Sequence, residues 1–322
     1  MSLLQYALSF VVVFILMMIL MPAFSKLAHK LDFTDKPTER KKHDAPMPLS
    51  GGAAMFVAFT VGFLIFVIRL DPSMPFLLIG VAMIVAVGII DDYAKTIGKE
   101  FPVWPRLLVH FGAAVVAFAG NIRFTGFLNF FTDNYIYLPI WLQFILTVLW
   151  IVGLVTVFNF MDGLDGLAGM LALIAGVTFF VVALNMGQAD SAFLAMVFIA
   201  AVVGFLRFNL PPAKIYMGDS GAYLLGFVLA AISLHGAFKQ ATVVSLAIPM
   251  LAMGVPIFDA VLVVVRRLLA RKPAHVADSS DITHIHYRLL KRGLSPRHAV
   301  LLIVLISTCL SLTSIILMLT FQ

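Results

Sequence analysis

The chain has 322 residues, of which 62% are hydrophobic and only 12% charged, and its mean hydropathy is +1.05. The charged share is about half that of a soluble domain, which excludes a water-soluble globular protein and points to a polytopic membrane chain. The net charge of +6 calls for no nucleic acid, because anionic lipid headgroups at a membrane surface account for such an excess.

A membrane span needs about 20 apolar residues. Ten apolar stretches are read here: 3–24, 51–68, 75–90, 107–120, 139–158, 167–186, 191–208, 221–235, 241–265 and 298–321. Little is left for an aqueous domain, so residues 1–322 read as one all-α integral-membrane domain, a transmembrane helix bundle of about ten spans. Nineteen of the 22 Lys and Arg fall in alternate loops, the first of them at 26–49, while the opposite loops hold only Arg69, Arg123 and Lys239. Basic residues favour the cytoplasmic side, which puts both termini outside and five loops inside. Cys309 has no partner, so no disulfide framework is expected. The first span lacks a basic leader and reads as a retained anchor.

The first inner loop carries Arg40, Lys41, Lys42 and His43 before Gly51-Gly52. The basic cluster either binds an anion or satisfies the orientation rule. The glycine pair serves either close approach to a ligand or tight helix packing. The second loop opens with Asp91-Asp92-Tyr93-Ala94-Lys95. Adjacent carboxylates repel unless a cation or proton is shared, and a helix continued through Lys95 brings its ammonium beside both.

At mid-chain, Asn159-Phe160-Met161-Asp162-Gly163-Leu164-Asp165-Gly166 lies between two apolar runs. Ionisable groups at a membrane mouth are costly and need a reason. If the stretch is helical, Asp162 and Asp165 share a face, and Gly163, Gly166 and Gly169 leave a bare strip for an anion at a helix start, or for helix packing. Next comes Asn209 to Gly221, where Pro211-Pro212 forbid a continuous helix. Asp219 stands there as a helix cap or a ligand for a hard cation, and Tyr216 as a stacking platform or a belt aromatic.

The 241–265 stretch contains Pro249, Gly254 and Pro256, so a kink or break is expected there. Asp259 within it needs a partner, for which Arg266 or Arg267 are the nearby cations. The last inner loop holds His284, His286 and Arg288, suited to donating to a diphosphate or sugar. A zinc site would require more His or Cys than this loop has. Ser295-Pro296 reads as the N-cap and first residue of the final helix.

Each motif is weak alone, but together they put Asp91, Asp92, Asp162, Asp165, Asp219, His284 and His286 on one face. Carboxylates with Lys and His at a membrane surface suit a Mg²⁺-dependent phosphate reaction with a lipidic acceptor. A cation-coupled transporter is the competing class. It predicts charges near the bilayer midplane and inverted repeats, and this chain has neither pattern.

Over nearly its whole length the chain resembles the polyprenyl-phosphate N-acetylhexosamine-1-phosphate transferase superfamily. The resemblance rests on Asp91-Asp92-Tyr93-Ala94-Lys95, the Asn159–Gly166 stretch, Asn209 with Pro212 to Gly221, and His284-Ile285-His286. The Arg40-Lys41, His43 and Gly51-Gly52 loop resembles the branch that primes teichoic acid or O-antigen rather than the muramoyl-pentapeptide branch. The priming branch usually has a histidine where Tyr287 stands, a departure that makes the implied sugar less specific. The resemblance implies transfer of GlcNAc-1-phosphate from UDP-GlcNAc, or another UDP-N-acetylhexosamine, to undecaprenyl phosphate in a bacterial inner (plasma) membrane, releasing UMP.

Carried over by motif, Asp219 ligates Mg²⁺, with Mn²⁺ an admissible substitute, and Asp162 lies on or near the metal. Asp91 and Asp92 lie at the acceptor phosphate, one as base or orienting group, and Lys95 neutralises phosphate charge. Asn209, Tyr216 and Asp165 hold the uridine, and His284, His286 and Arg288 the diphosphate or sugar. Lys41, His43 and Asn159 complete the substrate-binding set. Membrane lipids are further partners, and a homodimer is admissible. Direct in-line attack is the expected mechanism, because a phosphate monoester is already mostly ionised near neutral pH. A covalent route through Asp92 is the alternative.

Overall fold

A computed structural model describes residues 2–35, 46–128, 134–235, 243–269 and 284–320. Lys41 and His43 lie outside the described residues. The helices run in order α1 (Leu3–Lys30), α2 (Gly51–Phe66), α3 (Met74–Thr96), α4 (Val103–Ala119), α5 (Ile140–Met161), α6 (Leu167–Asn185), α7 (Ala189–Asn209), α8 (Gly218–His235), α9 (Val243–Ala252), α10 (Gly254–Leu269), α11 (Ile285–Lys291) and α12 (Pro296–Thr320). Two antiparallel strand pairs add to the helices expected from sequence: β1 (Thr34–Asp35) with β2 (Met47–Pro48), and β3 (Gly126–Leu128) with β4 (Tyr135–Tyr137).

Among the described residues, α1, α3, α5, α6, α7 and α12 are long and apolar enough to cross a membrane, while α2 and α4 are shorter apolar helices. The stretch read as a ninth span is broken at Met253 into α9 and α10. The break falls among Pro249, Gly254 and Pro256, where missing N–H groups and a missing side chain weaken the helical ladder. Asp162 to Gly166 is not helical, contrary to the expected shared face. Gly166 sits in the left-handed region (φ 77°) and α6 starts only at Leu167. The last helix begins where expected, with Ser295 Oγ accepting from the His298 N–H.

The core is built around α8, in which every residue from Asp219 to His235 is buried. A helix that is apolar all round belongs in the middle of a bundle. It packs against α3 and α5 and is flanked by α2, α6 and α7. Lipid supplies no hydrophobic drive between helices, so close packing through small residues holds them together. On α8, Gly226 lies against the backbone of Leu154 and Val155 in α5. Only 22% and 28% of the apolar windows of α1 and α12 are buried, which leaves these two at the rim.

Candidate active site

The carboxylates singled out in the sequence converge where α3 ends and α8 begins. Helix α3 continues through Thr96, so Lys95 stands one turn beyond Asp91 and Asp92. Its Nζ lies 2.6 Å from Asp219 Oδ2, while the other Asp219 oxygen accepts from Asn159 Nδ2 at 3.0 Å. Asn159 is in the last turn of α5, so one carboxylate ties together α3, α5 and α8.

Asp91 and Asp92, adjacent in sequence, have different surroundings. Asp91 Oδ2 accepts from Arg106 Nη1 at 2.9 Å and from the Tyr223 hydroxyl at 3.1 Å, and that hydroxyl also reaches Asp219 Oδ2 at 3.5 Å. Asp92 is fully buried. Its Oδ1 accepts from the Asp219 N–H at 2.6 Å, and its Oδ2 from the Ser220 N–H at 3.1 Å and the Ser220 hydroxyl at 2.8 Å.

Asp162 is partly buried at the C-cap of α5, and no described donor bonds to its carboxylate. Burial, and after it the nearby Asp219 charge, push its pKa well above the usual carboxylate range, with Lys95 opposing. Among the described residues, Asp91, Asp92, Asp162 and Asp219 thus face two fixed cations, Lys95 and Arg106. Such an excess of hard oxygen donors, one of them without a donor of its own, fits Mg²⁺ or Mn²⁺ in chemistry and in charge.

Beside this cluster lie the histidines. His284 caps α11, and its Nδ1 is 2.7 Å from Asp259 Oδ2, while Asp259 Oδ1 accepts from the Ile285 N–H at 2.7 Å. Asp259 thus finds partners in α11, to which the sequence did not point, and the side chain of Arg267, one of the two expected cations, lies outside the described residues. The His284 and His286 rings are nearly parallel, with centroids 5.9 Å apart. His284 also packs on Phe160, and His286 faces Gly163, where any side chain would collide with its ring. His284 Nε2 and both nitrogens of His286 are buried without a hydrogen-bond partner among the described residues. Burial and the adjacent His284 lower the His286 pKa to about 4, so its ring is neutral at physiological pH. Arg288 follows on α11, and Tyr287 packs against His286.

Asp165 and Asn209 tie the turn before α6 to the segment before α8 in which Tyr216 lies. Asp165 Oδ2 accepts from the Ala213 N–H at 3.0 Å, and Asn209 links the Gly166 N–H to the Ile215 carbonyl. The Gly166 N–H is thus taken by Asn209 and is not left for an anion, one of the two uses expected of this glycine strip. Burial, and then Asp165, Asp35 and Asp162, push the Tyr216 hydroxyl up to about 12. The Gly51 and Gly52 N–H groups donate to the Tyr216 and Met217 carbonyls, so the pair serves packing against the start of α8.

Arg106, Tyr223, Ser220 and Asp259 are the polar partners that sequence reasoning did not assign to the site. Tyr223 had a readable signal, since it lies four residues after Asp219 on the same helical face.

A second polar group sits at the other end of the helices. His235 Nε2 lies 3.7 Å from Asp71 Oδ1 and 3.6 Å from Asp190 Oδ2, next to a cavity of about 340 Å³ lined by Asp71, Ser73, Phe76 and Asn121 among others. Asp219 and His235 are separated by about 24 Å of α8 at 1.5 Å per residue, so neither feature belongs to the carboxylate cluster.

A protein-family model described as glycosyl transferase family 4 matches residues 74–237, which carry all four clustered carboxylates. The chain is also 36% identical over 309 residues to a probable undecaprenyl-phosphate N-acetylglucosaminyl 1-phosphate transferase of Bacillus subtilis, covering 96% of this chain and 84% of that one. The chain belongs to glycosyl transferase family 4. Other relatives of this transferase family span its branches. A decaprenyl-phosphate N-acetylglucosaminephosphotransferase of Mycobacterium leprae is 31% identical over 323 residues, covering 87% of this chain and 75% of that one. A phospho-N-acetylmuramoyl-pentapeptide-transferase of Listeria monocytogenes is 30% identical over 247 residues, covering 73% and 76%.

Proposed function

We propose that the protein transfers GlcNAc-1-phosphate from UDP-GlcNAc to undecaprenyl phosphate, giving undecaprenyl-diphospho-GlcNAc and UMP. This is the priming step of a cell-envelope polysaccharide or teichoic acid. The observation that carries the reading is the meeting of Asp91, Asp162, Asp219 and Lys95 at one end of the bundle, beside buried histidine nitrogens with unused hydrogen-bonding capacity. The relative with 36% identity, named a probable undecaprenyl-phosphate N-acetylglucosaminyl 1-phosphate transferase, supports the same reading. On it the chain makes about ten spans, with both termini outside and the site on the cytoplasmic face of the bacterial inner membrane.

Asp219 and Asp162 would hold Mg²⁺, or Mn²⁺ in its place, with Asn159 orienting Asp219. The bound ion supplies charge neutralisation for two anionic reactants and for the charge that develops on the leaving phosphate. Lys95 adds a fixed cation on the same side. Arg106 and Tyr223 hold Asp91 so that it orients the acceptor phosphate. One oxygen of that phosphate attacks the sugar-bearing phosphorus, and the bond to the UMP oxygen breaks. The neutral His286 ring and His284, fixed by Asp259, serve as donors to the diphosphate or sugar, with Arg288 nearby. Asp165, Asn209 and Tyr216 line the nucleoside side, and Lys41 and His43 contribute from the first loop.

The test is product analysis by mass spectrometry. Purified protein with undecaprenyl phosphate and a panel of UDP-sugars should give UMP and undecaprenyl-diphospho-GlcNAc from UDP-GlcNAc. Turnover of UDP-MurNAc-pentapeptide alone would move the protein to the other branch, and substrate-dependent cation flux without turnover would make it a transporter.

A further inference from the structure

The geometry points to Asp92 as a positioning residue. It clamps the first turn of α8 so that Asp219 faces the metal, instead of touching the acceptor phosphate or serving as a nucleophile.

Both Asp92 oxygens are engaged by the start of α8, through the Asp219 N–H, the Ser220 N–H and the Ser220 hydroxyl. The first N–H groups of a helix lack intrahelical acceptors. A carboxylate from another helix that accepts two of them, against the positive end of the helix dipole, acts as a cap supplied in trans. A group so engaged, with no exposed surface, has no free oxygen to attack phosphorus or to take a proton from a substrate. Asp91 differs, because among the described residues Arg106 and Tyr223 both donate to its Oδ2.

The surrounding sequence is shaped to this clamp. Gly218 takes a positive φ of 68°, and a Cβ there would run into the Asp92 carboxylate. Gly88, one helical turn before Asp92 on α3, lies against Ser220 Cα. Gly52 on α2 lies against the Gly221 backbone. The start of α8 is therefore held between α2 and α3, with no room for a side chain at either contact. Asp219 is the first side chain beyond Gly218, so its direction depends on where this turn sits.

The inference rests on the metal reading proposed above for Asp219, and the experiment separates the two. Mn²⁺ binding to purified protein would be followed by electron paramagnetic resonance, together with UMP release and amide hydrogen exchange of a peptide covering 217–222. Asp92→Asn puts an amide NH₂ where an acceptor is needed, so Mn²⁺ should bind about tenfold more weakly and exchange at 217–222 should speed up. Excess Mn²⁺ should restore much of the UMP release. Ser220→Ala removes one of the three bonds and serves as a milder variant should Asp92→Asn fold poorly. It should shift Mn²⁺ binding about threefold in the same direction.

Wild-type Mn²⁺ affinity in Asp92→Asn, with UMP release lost at every Mn²⁺ concentration, would overturn the clamp and return Asp92 to the reacting atoms. If the wild-type protein itself binds no Mn²⁺, the metal reading falls and hydrogen exchange alone decides. Faster exchange in the variants then supports the clamp, and unchanged exchange overturns it.

Discussion

Tyr223 shows how a single residue is made functional by its place in the fold. Its hydroxyl bridges Asp91 and Asp219, which belong to helices far apart in sequence. Tyr223→Phe leaves the ring packing intact and removes one hydrogen bond to a buried charged group. Loss of such a bond lowers kcat/KM about tenfold, measured as UMP release. A variant with wild-type kcat/KM would take Tyr223 out of the site.

His286 gives a pH signature. Its folded pKa is about 4 against 6.5 for a free histidine. Between these values the unfolded chain takes up a proton that the folded chain refuses. The contribution to stability is therefore complete above pH 6.5 and is lost as pH falls toward 4. One buried neutral imidazole with this shift removes of the order of 2 kcal/mol by pH 5. Thermal unfolding in detergent at pH 7.5 and pH 5 should show this loss in the wild type and a smaller one in His286→Asn. Equal losses would remove the assignment. The acids, Lys95 and the histidines were legible in sequence because charge is conspicuous in an apolar chain. Arg106 and Ser220 were not, because a lone arginine or a helix hydroxyl carries no local mark of its partner, while Tyr223 was marked only by its spacing of four from Asp219.

Among the elements, α10 and α11 are coupled by Asp259, which accepts from the Ile285 N–H at the start of α11 and pairs with His284. Asp259→Ala would free α11 while leaving the Asp91, Asp162 and Asp219 cluster in place. The expected result is a KM for UDP-GlcNAc raised about tenfold, with a smaller change in kcat, as suits loss of one buried charge-assisted contact at a binding element. An unchanged KM would contradict this role for α11. Helix ends marked by proline and glycine were readable, including the break at Met253 and the end of α7 before Pro211. The turn at Asp162 to Gly166 was not, because an i, i+3 pair of aspartates fits a helix equally well. The left-handed Gly166 and the bond from Asn209 decide against one. The contact of Asp259 with His284 was missed for a similar reason, since sequence favours near neighbours and this contact spans 25 residues.

At the scale of the whole molecule, two polar clusters lie at opposite ends of α8. Orientation is then open to labelling. In a Cys309→Ser background, Lys99→Cys, beyond the α3 end that bears the carboxylates, should react with a membrane-impermeant maleimide only after cells are opened. Asn185→Cys, at the far end of α6, should react in intact cells. Both positions are exposed, and the reverse pattern would place the site outside. The apolar runs that become the long helices were legible from composition. The burial of α8 at the centre was less so, since its composition resembles that of its neighbours and only its glycine contacts single it out.

The central claim is that carboxylates from separate helices form one metal-dependent site where a nucleotide sugar meets a lipid phosphate. Its most direct test is UMP release by purified protein given UDP-GlcNAc and undecaprenyl phosphate while Mg²⁺ is titrated, in the wild type and in Asp219→Ala. The account predicts saturable Mg²⁺-dependent release in the wild type, abolished by chelation and absent in Asp219→Ala. Release that ignores chelation, or that survives in Asp219→Ala, would contradict it.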